Sequence, residues 1–306
     1  MMKREDIQIR DPFIFRDDRS KTYYLYGTTD PNCWDGICTG FDGYRSKDLK
    51  TFEGPFPVFR APAGFWANRN FWAPEVHFYN GKYYMLASFK ASGFCRATQA
   101  LVSDTLDGPF SPTGESVLTP SEWECLDGTL YVDKQKTPWL IFSHEWIQCH
   151  VGEVCAMQLE NDLSCAKVET LQILFRATDA PWVTCHTFAI SNENNGKSGF
   201  VTDGPFLFHG NNGELLMLWS SFGQEGYAIG LARSKSGEIT GPWEHEEQPL
   251  FKKDGGHAMI FKTFEGSRLL TMHMPNIVSA ERPQFFELIE TNGRFSLKRW
   301  DSNENN

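Results

Sequence analysis

Nothing in this 306-residue sequence approaches the length of an apolar membrane-crossing segment, and helical periodicity is nearly absent. A Gly-x-Ser-x-Gly elbow, a phosphate loop and a dinucleotide-binding glycine fingerprint are missing too, which leaves esterase, kinase and dehydrogenase readings without support. Positive charge is in short supply: 29 Lys and Arg stand against 39 Asp and Glu, a formal charge of -10. A net negative surface attracts neither nucleic acid nor an anionic membrane, so an uncharged partner is expected. The eight cysteines, at 33, 38, 95, 125, 149, 155, 165 and 185, have no CxxC pairing and read as reduced, mostly buried thiols. The N-terminus, Met1-Met2-Lys3-Arg4-Glu5-Asp6, has no apolar stretch behind its charges. Both features point to the cytoplasm, or to a secreted or periplasmic protein had a leader been removed. In "HEWIQCH" the histidines His144 and His150 stand six residues apart rather than four, which rejects a zinc helix.

What the chain does have is aromatic residues, 14% of the total with 25 Phe, 10 Trp and 9 Tyr, able to fill a β-rich core or to stack on sugar rings. Short apolar runs bounded by Gly, Pro, Asp and Asn recur from end to end, the pattern of an all-β chain. They pair into five versions of one hairpin: "DPFIFRDDRSKTYYLYGTT", "APEVHFYNGKYYMLASF", "DGTLYVDKQKTPWLIFSH", "DGPFLFHGNNGELLMLWSS" and "GHAMIFKTFEGSRLLTMHM". Echoes carrying Gly-Pro-aromatic, "TFEGPFPVF", "LDGPFSPTG" and "ITGPWEHEE", close several units. A unit of this size holds about four strands, which predicts a five-bladed β-propeller over residues 1–306 with no second domain.

Inner strands of a propeller line its axis, so the residues that open the copies are expected to converge. These are Asp11, Ala73, Asp127, Asp203 and His257, three carboxylates and an imidazole. Turn residues alone need no such charge around one axis, where like charges destabilise one another. Three converging carboxylates suit glycosidic-bond hydrolysis: an acid protonates the leaving oxygen, a base activates water or attacks the sugar, and a third group raises the pKa of the acid. The expected partner is therefore an oligosaccharide or polysaccharide.

"RDPFIF", "FWAPEVHFYNGKYYM", "LDGTLYVD", "TDGPFLFHGNNGELLMLWSSF" and "GGHAMIF" with "HMPN" together resemble glycoside hydrolase family 43, over about Ile9 to Leu297. The resemblance implies a five-bladed propeller and an inverting hydrolase of α-L-arabinofuranosides, β-D-xylosides or galactofuranosides. It makes Asp11 the general base and Asp127 the modulator of the acid. Asp203 fills the acid's place, where the family usually has Glu, one methylene longer; Glu75, Glu145 and Glu225 are the rivals. Trp72, Trp146 and Phe222 are expected to bind substrate, with Trp34 a further platform candidate, and the resemblance directs Arg282 into the pocket. His257 is the one residue expected near a structural calcium, and no cofactor is required for the chemistry. The expected activity is exo-acting removal of a terminal furanosyl unit, most plausibly α-L-arabinofuranosyl. A retaining fructosidase-like propeller and a sugar-binding propeller without catalysis are the competing readings.

Overall fold

The computed structural model describes residues 1–114, 116–188 and 196–300. Five antiparallel sheets form the blades of a propeller, each wound in chain order from the axis outwards. Their inner strands are Arg10–Asp17, Arg69–Tyr79, Cys125–Val132, Asp203–His209 and Gly256–Lys262, and their second strands Thr22–Thr28, Lys82–Lys90, Pro138–His144, Leu215–Gly223 and Arg268–Met274. Two more strands complete each blade, and in the first blade Met2–Lys3 adds a fifth at the outer edge; we number the blades I to V.

The second strands are nearly continuous apolar runs because both of their faces are covered. Side chains alternate across a strand with period two. In blade IV, Met217 and Trp219 pack towards Ile141 and Val154 of blade III, while Leu216 and Leu218 pack towards Leu270 and Met272 of blade V. In blade II, Met85 and Phe89 join Phe41 and Phe59 of blade I, while Leu86 meets Leu140 and Phe142 of blade III. The hydrophobic core is thus divided into clusters between successive blades. Burial there, at roughly 25 cal/mol per Å², is the main force that holds one blade against the next.

Closure of the ring explains Arg282. The first strand, Met2–Lys3, pairs with Thr51–Arg60 of its own blade, so no N-terminal strand is donated to blade V. The seam is closed by packing of Ile14, Leu25 and Phe52 on Met259, Leu269 and Phe285, and by polar contacts such as Arg16 Nη1 to the Thr263 carbonyl at 3.0 Å and the Phe264 N–H to Tyr23 Oη at 2.8 Å. Arg282 supplies another of these: its Nε donates to the Glu5 carbonyl at 3.0 Å, while its Nη1 donates within blade V to the carbonyls of Glu281 at 2.8 Å and Ser279 at 3.2 Å. Arg282 therefore clamps the N-terminal segment to blade V and does not line the axial cavity, contrary to its expected direction.

Two pieces outside the blades bear on the cavity. A one-turn helix, Trp146–Cys149, follows blade III's second strand, and a short ladder, His186–Thr187 with Ser198–Gly199, stands outside the blades. Both bring aromatic side chains to the cavity.

Candidate active site

Every inner strand has a point where the ladder slips by a residue: between Arg10 and Phe13, Trp72 and Glu75, Leu126 and Thr129, Asp203 and Phe206, and Gly256 and Met259, with a second slip in blade II between Arg69 and Trp72. The bulged residue turns left-handed, with φ of 54° at Asp11, 47° at Ala73, 56° at Asp127, 51° at Gly204 and 52° at His257. For a residue with a Cβ this costs on the order of 1–2 kcal/mol. In four blades its backbone N–H is caught by a side chain ending the preceding blade's second strand. Asp11 donates to His273 Nδ1 at 3.3 Å, Ala73 to Thr28 Oγ1 at 2.8 Å, Asp127 to Ser88 Oγ at 2.9 Å and His257 to Ser220 Oγ at 2.9 Å.

The fourth blade differs, and the difference corrects the expected register. The counterpart of Asp11 there is Gly204, and Asp203 stands one residue earlier. Glycine is required at 204 because a Cβ would lie 2.8 Å from the His257 ring. Its N–H donates to Asp127 Oδ2 at 2.9 Å, and Ser143 Oγ, the matching hydroxyl of blade III, is buried without a hydrogen-bond partner. The site thus has two tiers. The lower holds Asp11, Asp127 and His257; the upper, one strand rise or about 3.3 Å towards the open face, holds Arg10, Trp72, Leu126 and Asp203.

Both tiers line one cavity of about 570 Å³. Of the residues expected there, Asp11, Asp127, Asp203, His257, Trp34, Trp72, Trp146, Phe222 and Glu145 line it. Glu75 is buried beside His77, its Oε2 3.2 Å from Nε2, and Glu225 is ion-paired with Lys252 at 2.8 Å; neither lines the cavity. Glu145 is bound to the guanidinium of the buried Arg96, which also lies 4.0 Å above the Trp72 ring. That pairing ties the Glu145 carboxylate to a cation at the edge of the cavity.

The electrostatics separate the three aspartates. Burial raises the Asp11 pKa, but His257 at 3.2 Å, Arg10 at 3.7 Å and His273 at 3.4 Å overturn it and hold the carboxyl well below the usual carboxylate range. Thr28 Oγ1 also donates to Asp11 Oδ2 at 2.7 Å. Asp203 moves the other way: burial first and the neighbouring Asp127 second push it up to about 8, against a hydrogen bond from Tyr227. Asp127 lies between, raised to about 6 by burial and by Asp11 against the pull of His257. Burial disfavours the His257 cation, yet Asp11 and Asp127 raise its pKa to about 10. At neutral pH the cavity therefore holds an ionised Asp11, a protonated Asp203 and an imidazolium.

This imidazolium bears on calcium. No group of three or more His, Cys, Asp or Glu side chains suited to a metal ion occurs among the described residues. His257 offers only nitrogen, with Nδ1 turned towards Asp11 at 3.2 Å and Asp127 at 3.6 Å, whereas a hard cation prefers a shell of oxygen ligands. The residues present do not fit calcium at His257.

Several lining residues escape a sequence reading. Arg10 stacks on Trp34 at 4.9 Å and pairs with Glu281 at 3.4 Å. Phe188 lies parallel to Trp146 at 4.6 Å, and His186 parallel to Phe222 at 3.7 Å, and these rings line the cavity together with Trp34 and Trp72, whose own centroids are 5.1 Å apart. Tyr227 donates to Asp203. One signal was available: Thr28, Ser88, Ser143, Ser220 and His273 recur as polar ends of otherwise apolar second strands.

Comparison with known proteins agrees with this architecture. A solved endo-arabinase from Bacteroides thetaiotaomicron VPI-5482 is 39% identical, with a TM-score of 0.87 over 96% of this chain and 99% of that one. The extracellular endo-alpha-(1->5)-L-arabinanase 1 of Bacillus subtilis (strain 168) is 25% identical over 264 residues, 81% of this chain and 71% of that protein. A thermostable family-43 glycoside hydrolase shares the fold, at 21% identity and a TM-score of 0.76 over 97% of this chain and 95% of that one. The model of glycosyl hydrolases family 43 matches residues 6–292, nearly the whole chain, and the protein belongs to that family of glycosidases.

Proposed function

We propose that the protein hydrolyses α-L-arabinofuranosyl linkages of an arabinan-type chain with inversion at the anomeric carbon. Asp203 donates its proton to the leaving oxygen while Asp11 takes one from the attacking water. The observation that carries this reading is the placement of two carboxyls on one cavity in opposite surroundings, Asp11 against the cations His257 and Arg10, which favour its ionised form, and Asp203 buried beside Asp127, which favours its protonated form. Asp127 is the modulator: its charge raises Asp203, and its bond to the Gly204 N–H fixes the strand that carries the acid. Catalysis needs no metal in this reading, since the His257 cation already compensates Asp11 and Asp127.

Substrate choice rests on two supports. Aromatic rings lining the cavity suit neutral sugar rings, and the two relatives above named for arabinan cleavage align with most of this chain. A cavity of about 570 Å³ lies in the range that encloses a drug-sized ligand, larger than one pentose, which favours cutting inside a chain over removing a terminal unit. All eight cysteines are unpaired, which fits a reducing compartment.

The test compares linear arabinan with p-nitrophenyl arabinofuranoside, xyloside and galactofuranoside. Internal cutting releases short oligosaccharides from arabinan; arabinose as the sole early product means terminal action, and a preference for another glycoside refutes the arabinan assignment. D203N is expected to lose roughly 10²–10⁴-fold on arabinan and much less on an activated aryl glycoside, which needs little protonation. Equal losses on both would remove Asp203 from the acid's role.

A further inference from the structure

We propose that Tyr227 is a positioning residue for the acid, fixing Asp203 so that its proton sits on the oxygen facing the leaving group. The inference rests on the reading of Asp203 given above. Tyr227 enters from the third strand of blade IV, Gly226–Ser234, and its hydroxyl donates to Asp203 Oδ2 at 2.9 Å. A protonated carboxyl has one hydroxyl and one carbonyl-like oxygen. With Oδ2 accepting from Tyr227, the proton is left on Oδ1. Aspartate has only two side-chain torsions, so one tether orients it, where a glutamate would keep a further degree of freedom.

The surroundings hold the phenol in place for this task. Its ring is about 1% exposed, lies near-parallel to His273 at 5.7 Å and 20°, and packs on Phe222 at 5.2 Å. A Cβ at Gly256 would come within 2.3 Å of the ring, so the Gly-Gly-His sequence of blade V is the opening through which Tyr227 reaches the site. Its carbonyl accepts from Gly255 N–H at 3.0 Å, tying the two blades. The ring also joins the two halves of the chemistry, because His273, on which it stacks, accepts the Asp11 N–H.

The bond contributes more in the transition state than before it. As Asp203 gives up its proton, a neutral acceptor becomes a carboxylate, and a hydrogen bond to a charged oxygen is roughly twice as strong as one between neutral groups. Four neighbours set the charge around Asp203: Asp127 from blade III, Tyr227 from blade IV, His257 from blade V and Arg10 from blade I. Of these, only Tyr227 is tied to the carboxyl by a side-chain hydrogen bond in that set.

The experiment is Y227F, which keeps the ring and its stacking. The expected result is a loss of about 10-fold in kcat/KM on arabinan, with less than about 3-fold on an activated aryl glycoside. The alkaline limb of the pH profile, where protonated acid is lost, moves up because the carboxylate has lost a donor. In a D203N background Y227F costs nothing further. Should Y227F fold poorly, 3-fluorotyrosine placed at 227 alone is a stronger donor and moves the alkaline limb down. Equal losses on both substrates with an unmoved limb would overturn the proposal and leave Tyr227 a packing residue. If D203N itself lacks leaving-group dependence, the acid assignment fails; if D203N has it and Y227F does not, only the role of Tyr227 fails.

Discussion

Replacing Asp203 by asparagine is expected to stabilise the folded protein at neutral pH, an outcome that no loss of activity can mimic. Asparagine has nearly the shape of the protonated acid, and its carbonyl can keep the bond from Tyr227. The wild-type carboxyl has a pKa near 8 in the folded chain against 3.8 for the free group, so between those values the folded state binds a proton that the unfolded state has released. Stability of the wild type therefore falls as pH rises through this window. At about 1.36 kcal/mol per unit, the penalty at pH 7 is at most about 4 kcal/mol. The carboxyl is partly open to the cavity, and solvent screening brings the expected difference to about 1–3 kcal/mol. Urea denaturation of both proteins from pH 4 to 9 measures it. The advantage of D203N should be near zero at pH 4, grow with pH and level off above about 8. A difference that is absent, or constant with pH, would mean that Asp203 is ionised in the native state and cannot be a resting general acid.

His257 gives a second pH signature. Its folded pKa of about 10 exceeds the ordinary 6.5, so its contribution is complete below 6.5 and is lost as pH climbs towards 10; melting temperatures should decline across that range, and H257Q should flatten the decline. R282A removes the hydrogen bonds to Glu5, Ser279 and Glu281 at the ring seam; about 1–3 kcal/mol of stability should go, seen as a lower urea midpoint, with kcat/KM within about 3-fold of wild type. W72A takes away a cavity face and the surface over Arg96, and KM for arabino-oligosaccharides should rise about 10-fold in steady-state kinetics. Dialysis against EDTA should leave both activity and melting temperature unchanged, because the His257 ring already contacts Asp11 and Asp127 and no cluster of metal-ligating side chains occurs among the described residues.

The hairpin repeat and the convergence of Asp11, Asp127 and His257 were legible because each rests on a local pattern. Period-two alternation makes the strands, and equivalent places in repeated units meet at an axis. The register at Asp203 was misread for an equally local reason. "RDPFIF" and "DGPFLF" align by their aspartates on sight, but the true anchor is the proline, which sets Pro205 against Pro12 and Gly204 against Asp11. Arg282 was beyond reach, since its direction depends on a carbonyl 277 residues away at the closure of the ring. Tyr227, Arg10 and Phe188 likewise act through contacts that only the closed propeller creates.

That one-residue offset has a chemical consequence. An acid placed in the lower tier would lie at the imidazolium, whose ion pairs with Asp11 and Asp127 favour ionised carboxylates. Raised to the upper tier, Asp203 escapes direct pairing with His257 while still feeling the charge of Asp127, and a neutral acid survives beside an ionised base. Glycine at 204 makes the division possible twice over: it yields its side-chain space to His257 and gives its N–H to Asp127. G204A should therefore disturb the base, the modulator and the acid together, a coupling that neither D11N nor D203N alone would reproduce.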